Sequence, residues 1–339
     1  MRLAIYGSGG LGRSMLTLVQ YKRDIQAVAI LDRSGYAFEA NGIAPFKDDF
    51  SGCAMLPGGV LCERAIDQLL LDRGKEIDTI FLALPNLPND FLPSVIDRII
   101  ATGYKGVIAD ALKRTSAMEL ILERSDALKA AGITHVTGAG ATPGLLTAAA
   151  ALAAQSYVDI LSVTIEFGVG IDNWDRYRGT IREDIGHMDG FDIAMAQSLS
   201  DDEIDAMLDK TNGLMHLTNM EHADDLMLEM AGICPRDRVT VGGVIDTRNP
   251  RKPLQTTMIL TGITFEGKRS SHTFTFGNET SMAANVNGPV LGYLQSAHWL
   301  HSHNIFGCFT AAQIMPQFNP AAPSALNQLQ SPAHARTTA

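Results

Sequence analysis

Residues Leu3–Gln20 read LAIYGSGGLGRSMLTLVQ: a short apolar run, a cluster of glycines, then apolar residues at helical spacing. Leu3–Tyr6 has the composition of a buried strand. Leu11, Met15, Leu18 and Val19 fall on one face of a helix from Leu11 to Lys22. Between strand and helix stands Gly7-Ser8-Gly9-Gly10-Leu11-Gly12, the spacing G-x-G-x-x-G. In that setting Gly7 permits a tight turn, Gly9 lets a diphosphate approach the backbone, and Gly12 lets helix and strand pack closely. The free N–H groups and dipole of the helix N-terminus favour the negative charge of a diphosphate.

The next strand, Ala27–Leu31, is followed by Asp32, twenty residues after Gly12. An acid at this spacing can accept hydrogen bonds from the adenosine ribose. Strand, glycines, helix and spaced acid together point to a dinucleotide site made by Gly7, Ser8, Gly9, Gly10, Leu11, Gly12 and Asp32. Asp32 repels a 2′-phosphate and favours NAD, while Arg33 beside it is able to pair with that phosphate, so NAD is preferred and NADP stays open.

Working outward, Asp78–Leu84, Lys105–Ala109 and Thr134–Thr137 read as further buried strands. They alternate with helical runs at Cys62–Asp72, Phe91–Ala101 (capped by Asp90, ended by Gly103) and Ser116–Ala131. Ser34–Pro57, rich in Gly, Pro, Asn and Asp, reads as a loop insertion. Beyond residue 150 the pattern changes. Asp159–Val169, Arg238–Ile245, Thr256–Phe265 and Ser271–Phe276 read as strands, the last two joined by a turn at Glu266-Gly267-Lys268. Asp201–Lys210 and Gly288–His301 have helical spacing. The expectation is an α/β chain: a Rossmann doubly wound parallel sheet over residues 1–150, a second α+β domain of mostly antiparallel sheet over 151–316, and a disordered tail over 317–339, with the last helix returning to the first domain.

The 339 residues carry a net charge of −10, which argues against nucleic acid or an anionic membrane as partner. The four cysteines are scattered without a CxxC pair, so no zinc site is expected. No leader or long apolar run is apparent, and the expected location is the cytoplasm.

A resemblance enters at Gly106–Leu146, GVIADALKRTSAMELILERSDALKAAGITHVTGAGATPGLL. It resembles the end of the Rossmann domain in the saccharopine reductase family, with its "AMxxL" helix, "kxAGIt" segment and terminal G-x-D-P-G. Here that last motif is Gly140-Ala141-Thr142-Pro143-Gly144, with Thr142 in place of the family's Asp. The segment AILDRSGYAFEANGI is similar to the second-strand region of homoserine dehydrogenases. The resemblance implies an NAD(P)-dependent oxidoreductase acting at a C–N or C–O bond of an amino-acid-derived substrate, with a homodimer as the expected assembly. Two alternatives stand beside it: a synthase or lyase using NAD as an internal redox relay, as homospermidine synthase does, and a non-catalytic nucleotide sensor.

Such chemistry calls for a proton donor and for cations that hold carboxylates. Pro85 and Asn86, at the end of a strand, are candidates for contact with the nicotinamide ribose. Lys113 follows the next strand as a proton donor or carboxylate anchor. Trp174, Arg176 and Arg178 follow a glycine-rich strand end and suit an anionic substrate, with Thr142 as a further contact. His187 and His222 are candidate acid/base groups. Their acidic neighbours, including Glu183 at i, i+4 from His187, read better as a solvated face than as a metal site, and no metal is expected.

Overall fold

The computed structural model describes residues 1–46, 51–85, 88–170, 178–218, 220–248, 255–276, 282–323 and 325. The chain divides into two compact units, Met1–Gly144 with Val286–Ala339, and Leu145–Asn285.

The first unit runs β1 (Arg2–Tyr6), α1 (Gly10–Val19), β2 (Gln26–Asp32), β3 (Gly35–Phe38), β4 (Gly59–Leu61), α2 (Ala65–Arg73), β5 (Thr79–Leu82), α3 (Phe91–Ala101), β6 (Val107–Asp110), α4 (Thr115–Leu122), α5 (Ser125–Ala131) and β7 (Thr134–Thr137). The second contains α6 (Leu145–Ala154), β8 (Asp159–Gly170), α7 (Arg178–Ile185), α8 (Ile193–Ser198), α9 (Asp201–Lys210), β9 (Leu214–Leu217), α10 (Asp224–Met230), β10 (Val239–Asp246), β11 (Thr256–Ile263) and β12 (Arg269–Phe276). The chain then returns to the first unit through α11 (Met282–Ser302) and ends its sheet with β13 (Gly307–Thr310).

The first sheet has the order β13-β7-β6-β5-β1-β2-β3-β4. From β13 to β2 every pairing is parallel, and the strand order reverses direction at β1, between β5 and β2. A doubly wound sheet buries its strands on both faces, so they read as continuous apolar runs. Leu3, Ile5, Ile30, Ile80, Phe81 and Ile108 are accordingly without solvent exposure.

Ser34–Pro57 is more than a loop. β2 turns back at Arg33-Ser34 into antiparallel β3, which pairs in turn with β4. The expected helix Ser116–Ala131 is two helices, α4 and α5, with Arg124 between them bonding Asp97 of α3 at 2.8–2.9 Å. Asp90 precedes α3, but its backbone is helical rather than extended and its carboxylate makes no capping bond. The stretch from Gln317, expected to be a disordered tail, begins packed on the first unit. Gln317 N donates to Gly292 O, buried Asn319 donates to Leu291 O, and Arg23 N donates to Pro320 O.

The second sheet, β12-β11-β8-β10-β9, is antiparallel except for β8 beside β10. One face carries Ile160, Val163, Ile165, Val241, Met258 and Leu260, packed with Leu146 and Ala150 of α6 and Leu228 of α10. The other face is polar and small: Thr164, Glu166, Thr240, Gly242 and Thr257 line an open concavity of about 720 Å³. Among the described residues, no helix is long and apolar enough to cross a membrane.

Candidate functional site

In an open parallel sheet the ligand crevice lies at the carboxyl ends of the strands, where the strand order reverses. Here that point is the turn from β1 to α1 beside the end of β5. Gly7 has φ 114°, and a Cβ on it would lie 2.3 Å from the carbonyl oxygen of Ala83. A Cβ on Gly12 would lie 1.9 Å from the carbonyl oxygen of Gly7, so only glycine lets α1 approach β1 this closely. Gly9 and Gly10 differ: a Cβ on either meets no atom within 4 Å. The protein itself does not require glycine at those two positions, whereas a ligand lying against the backbone would.

α1 begins at Gly10 with Gly9 as its N-cap and without a side-chain cap, which leaves its first N–H groups directed at that open space. Gly7–Leu11, Asp32, Arg33 and Pro85 line one cavity of about 520 Å³. The turn, the helix end and the cavity suit the diphosphate and adenosine of a dinucleotide. Asn86, expected on the nicotinamide side, lies outside the described residues.

Asp32 stands at the end of β2, but its carboxylate is engaged within the protein. Oδ1 accepts from Ser34 N (2.8 Å) and Ser34 Oγ (2.6 Å); Oδ2 accepts from Ser8 Oγ (2.9 Å) and Cys53 N (3.1 Å). Burial by itself raises the Asp32 carboxyl, yet the hydrogen bonds from Ser34, Ser8 and Cys53 outweigh it and hold the group below its usual range. The contacts of Ser34 and Cys53 cannot be read from the glycine motif, because a hairpin and a more distant segment bring them in.

Fully buried Asn287 of α11 donates from Nδ2 to Leu11 O at 3.0 Å, pinning that helix to the glycine turn. Among the described residues no donor reaches its Oδ1. No motif marked this residue, which arrives from the far end of the chain.

The neighbouring strand ends converge on Asp110, which is fully buried. Its Oδ1 accepts from Leu112 N (2.9 Å), Gly138 N (3.0 Å) and Thr137 Oγ1 (3.1 Å), and its Oδ2 from His135 Nε2 (2.8 Å). One carboxylate thus fastens the loop after β6, which carries Lys113, to the loop after β7, which carries Thr142 and a cis Thr142–Pro143 bond. His135 Nδ1 lies 3.8 Å from Cys308 Sγ. Burial first, and the Asp110 charge second, push that thiol far above its usual range, so it is protonated and a poor nucleophile.

The second unit holds the two expected histidines. His187 lies beyond the end of α7 at Ile185, so Glu183 and His187 do not share a helical face as their spacing suggested. His222 is different. Read as part of a solvated acidic face, it is in fact 4% exposed, with Asp224 at 0%. Its Nδ1 lies 2.6 Å from Asp224 Oδ2, and Asp224 Oδ1 accepts from Thr147 Oγ1. A carboxylate only accepts, so Nδ1 carries the proton, and Nε2 is left as the basic nitrogen. Trp174 and Arg176 lie outside the described residues. Arg178 opens α7, and its side chain is likewise outside them.

No family model matches the sequence. The (S)-8-amino-7-oxononanoate synthase BioU of Haloferax mediterranei is 41% identical over 351 residues, covering 94% of this chain and 99% of that one. Among solved structures, the Corynebacterium glutamicum DAP dehydrogenase in complex with DAP aligns with a TM-score of 0.56 at 16% identity, over 97% of this chain and 98% of that one. The saccharopine dehydrogenase of Saccharomyces cerevisiae aligns with a TM-score of 0.54 at 12% identity, over 92% and 94%. The likeness to amino-acid dehydrogenases is therefore one of fold. The expected saccharopine-reductase type of activity is overturned by the far higher identity to the synthase, which runs almost from end to end of both chains.

Proposed function

Because the chain belongs to the family of the (S)-8-amino-7-oxononanoate synthase BioU, we propose that it is an enzyme acting in the formation of (S)-8-amino-7-oxononanoate, with a nicotinamide dinucleotide seated on the β1–α1 turn. What carries this reading is the end-to-end similarity to the Haloferax protein. The glycine turn, open in front of Gly9 and Gly10, supports the dinucleotide. The compound named carries a carboxylate at one end and an amine beside a ketone at the other, so it is amino-acid-like in the groups a site must recognise.

When bound, the dinucleotide supplies hydride chemistry at carbon. The chain's own groups bind, orient and move protons. Lys113, on the loop held by Asp110, serves as proton donor or as partner to a substrate anion. Thr142, on the loop held through Gly138, orients the polar end of the substrate. His222, oriented by Asp224, is the acid/base group, with His187 as the second candidate. Arg176 and Arg178, with Trp174, are our candidates to hold the carboxylate and cover the alkyl chain. A homodimer formed through the uncovered face of the second sheet completes the reading, and light scattering should then return twice the chain mass.

The test is calorimetric titration of the full chain, with NADH or NADPH present, by (S)-8-amino-7-oxononanoate, meso-diaminopimelate and saccharopine. Saturable binding of the first and none of the other two is expected. Selective binding of diaminopimelate or saccharopine would overturn the assignment.

A further inference from the structure

Asp32 occupies the position from which an acid ordinarily reads the adenosine ribose. To do so, a carboxylate needs lone pairs to offer, and it has about four acceptor sites. Here four protein donors already take them: Ser34 N, Ser34 Oγ, Ser8 Oγ and Cys53 N. The donors come from three places, namely the glycine turn, the β2–β3 hairpin and the segment before β4. Ser34 Oγ accepts in turn from Ala54 N at 3.1 Å. Gly52, at φ 137°, passes so close that a Cβ would lie 2.4 Å from Ser34 Oγ. The segment is folded down onto the carboxylate, which acts as its anchor.

Arg33 stands next to it, exposed, on the wall of the same cavity and, among the described residues, without an acidic partner. The other arginine on that wall, Arg98, is held by Asp67 at 2.8 Å. Glu63 on the same wall is exposed, so water and salt screen it. A guanidinium at the end of the second strand is the group that receives a 2′-phosphate, and it does so through paired, charge-assisted hydrogen bonds.

We infer that Asp32 is a positioning residue for the glycine turn, not a reader of the ribose diol, and that Arg33 makes the site select the 2′-phosphorylated dinucleotide, NADP. This reverses the preference for NAD expected from the acid's spacing alone, and it rests on the dinucleotide reading given above.

The test is titration of the full chain with adenosine 2′,5′-bisphosphate and with 5′-AMP, two probes that differ only by the 2′-phosphate. The unmodified chain should bind the bisphosphate about tenfold more tightly. Arg33→Ala should erase that advantage while leaving 5′-AMP within about twofold, since a surface arginine touches only the phosphate. Asp32→Asn should weaken both probes in parallel, because the turn beneath both is loosened. Equal or tighter binding of 5′-AMP by the unmodified chain, or an unchanged ratio in Arg33→Ala, overturns the proposal. So does a loss confined to 5′-AMP in Asp32→Asn, the mark of a ribose reader. If NAD and NADP themselves also fail to bind, the dinucleotide reading falls and the proposal with it. Arg33→Ala lies on the surface and keeps the test decisive should Asp32→Asn unfold.

Discussion

His135 Nε2 lies 2.8 Å from the Oδ2 of Asp110, and neither side chain has any solvent exposure. The pair joins β6 to β7 below the loops that carry Lys113 and Thr142, and Asp110 also receives Leu112 N, Gly138 N and Thr137 Oγ1. Two substitutions separate its roles. Asp110→Ala strands four buried donors and is expected to cost about 3–5 kcal/mol. Asp110→Asn keeps an acceptor for the three donors at Oδ1, and His135 can answer the new amide N–H by changing tautomer. Its cost should be about 1 kcal/mol. Urea unfolding of the two variants checks the difference, and equal destabilisation would contradict the network.

The glycines of the β1–α1 turn should divide into two kinds. Gly12→Ala places a Cβ 1.9 Å from the Gly7 carbonyl, so it should lower stability by about 1–3 kcal/mol through overpacking, and more if the helix cannot shift. Gly9→Val meets no protein atom near the Cβ, and Gly9 has an ordinary φ of −72°, so the fold should keep its melting temperature. The added side chain fills the space in front of the helix end, and dinucleotide binding should be lost. Thermal melts paired with nucleotide titration read both effects. Retained affinity in Gly9→Val would remove the diphosphate from this turn.

What was legible in the sequence was what is local. The glycine turn declares itself because strand, turn and helix adjoin, and Asp32 follows at a fixed distance set by one helix and one strand. The contacts of Asp32 were not legible. Ser34 lies two residues on but reaches back only because β2 and β3 form a hairpin, and Cys53 comes from 21 residues away. Strands of three and four residues, such as β4 and β3, are too short to show an alternating pattern among glycines and prolines. His222 and Asp224 sit in a run of acids that looks solvated on local charge density. What buries Asp224 is Thr147, 77 residues earlier, together with the packing of α10 under the second sheet.

The Asp32 anchor also sets a pH dependence. Hydrogen bonds from Ser34, Ser8 and Cys53, working against burial, leave its folded pKa below the unfolded value of about 3.9. The folded chain therefore binds fewer protons at this group than the unfolded chain. Its contribution to stability is complete above the unfolded value and is lost as pH falls through the folded one. Between about pH 5 and 3 the urea midpoint of the unmodified chain should fall more steeply than that of Asp32→Asn, which has no proton to take up. Parallel curves would show that the carboxylate is not held in its charged form by the turn.

The last prediction concerns catalysis. His222 presents Nε2 while Asp224 holds Nδ1 at 2.6 Å, so the imidazole is fixed in one tautomer and one orientation. His222→Gln removes the proton-transfer group and should lower kcat by about 10²–10⁴-fold, the usual worth of a positioned acid or base. Nucleotide affinity should stay unchanged, since the cavity lined by Gly7–Leu11 contains no residue of this pair. Asp224→Asn preserves the shape but offers His222 an amide that can also donate. It should lower kcat less than His222→Gln does, because the imidazole stays in place but is no longer held to one tautomer. Rates of (S)-8-amino-7-oxononanoate formation, measured beside nucleotide titration of the same preparations, separate the two effects. Full activity in His222→Gln would shift the proton-transfer role to Lys113 or His187.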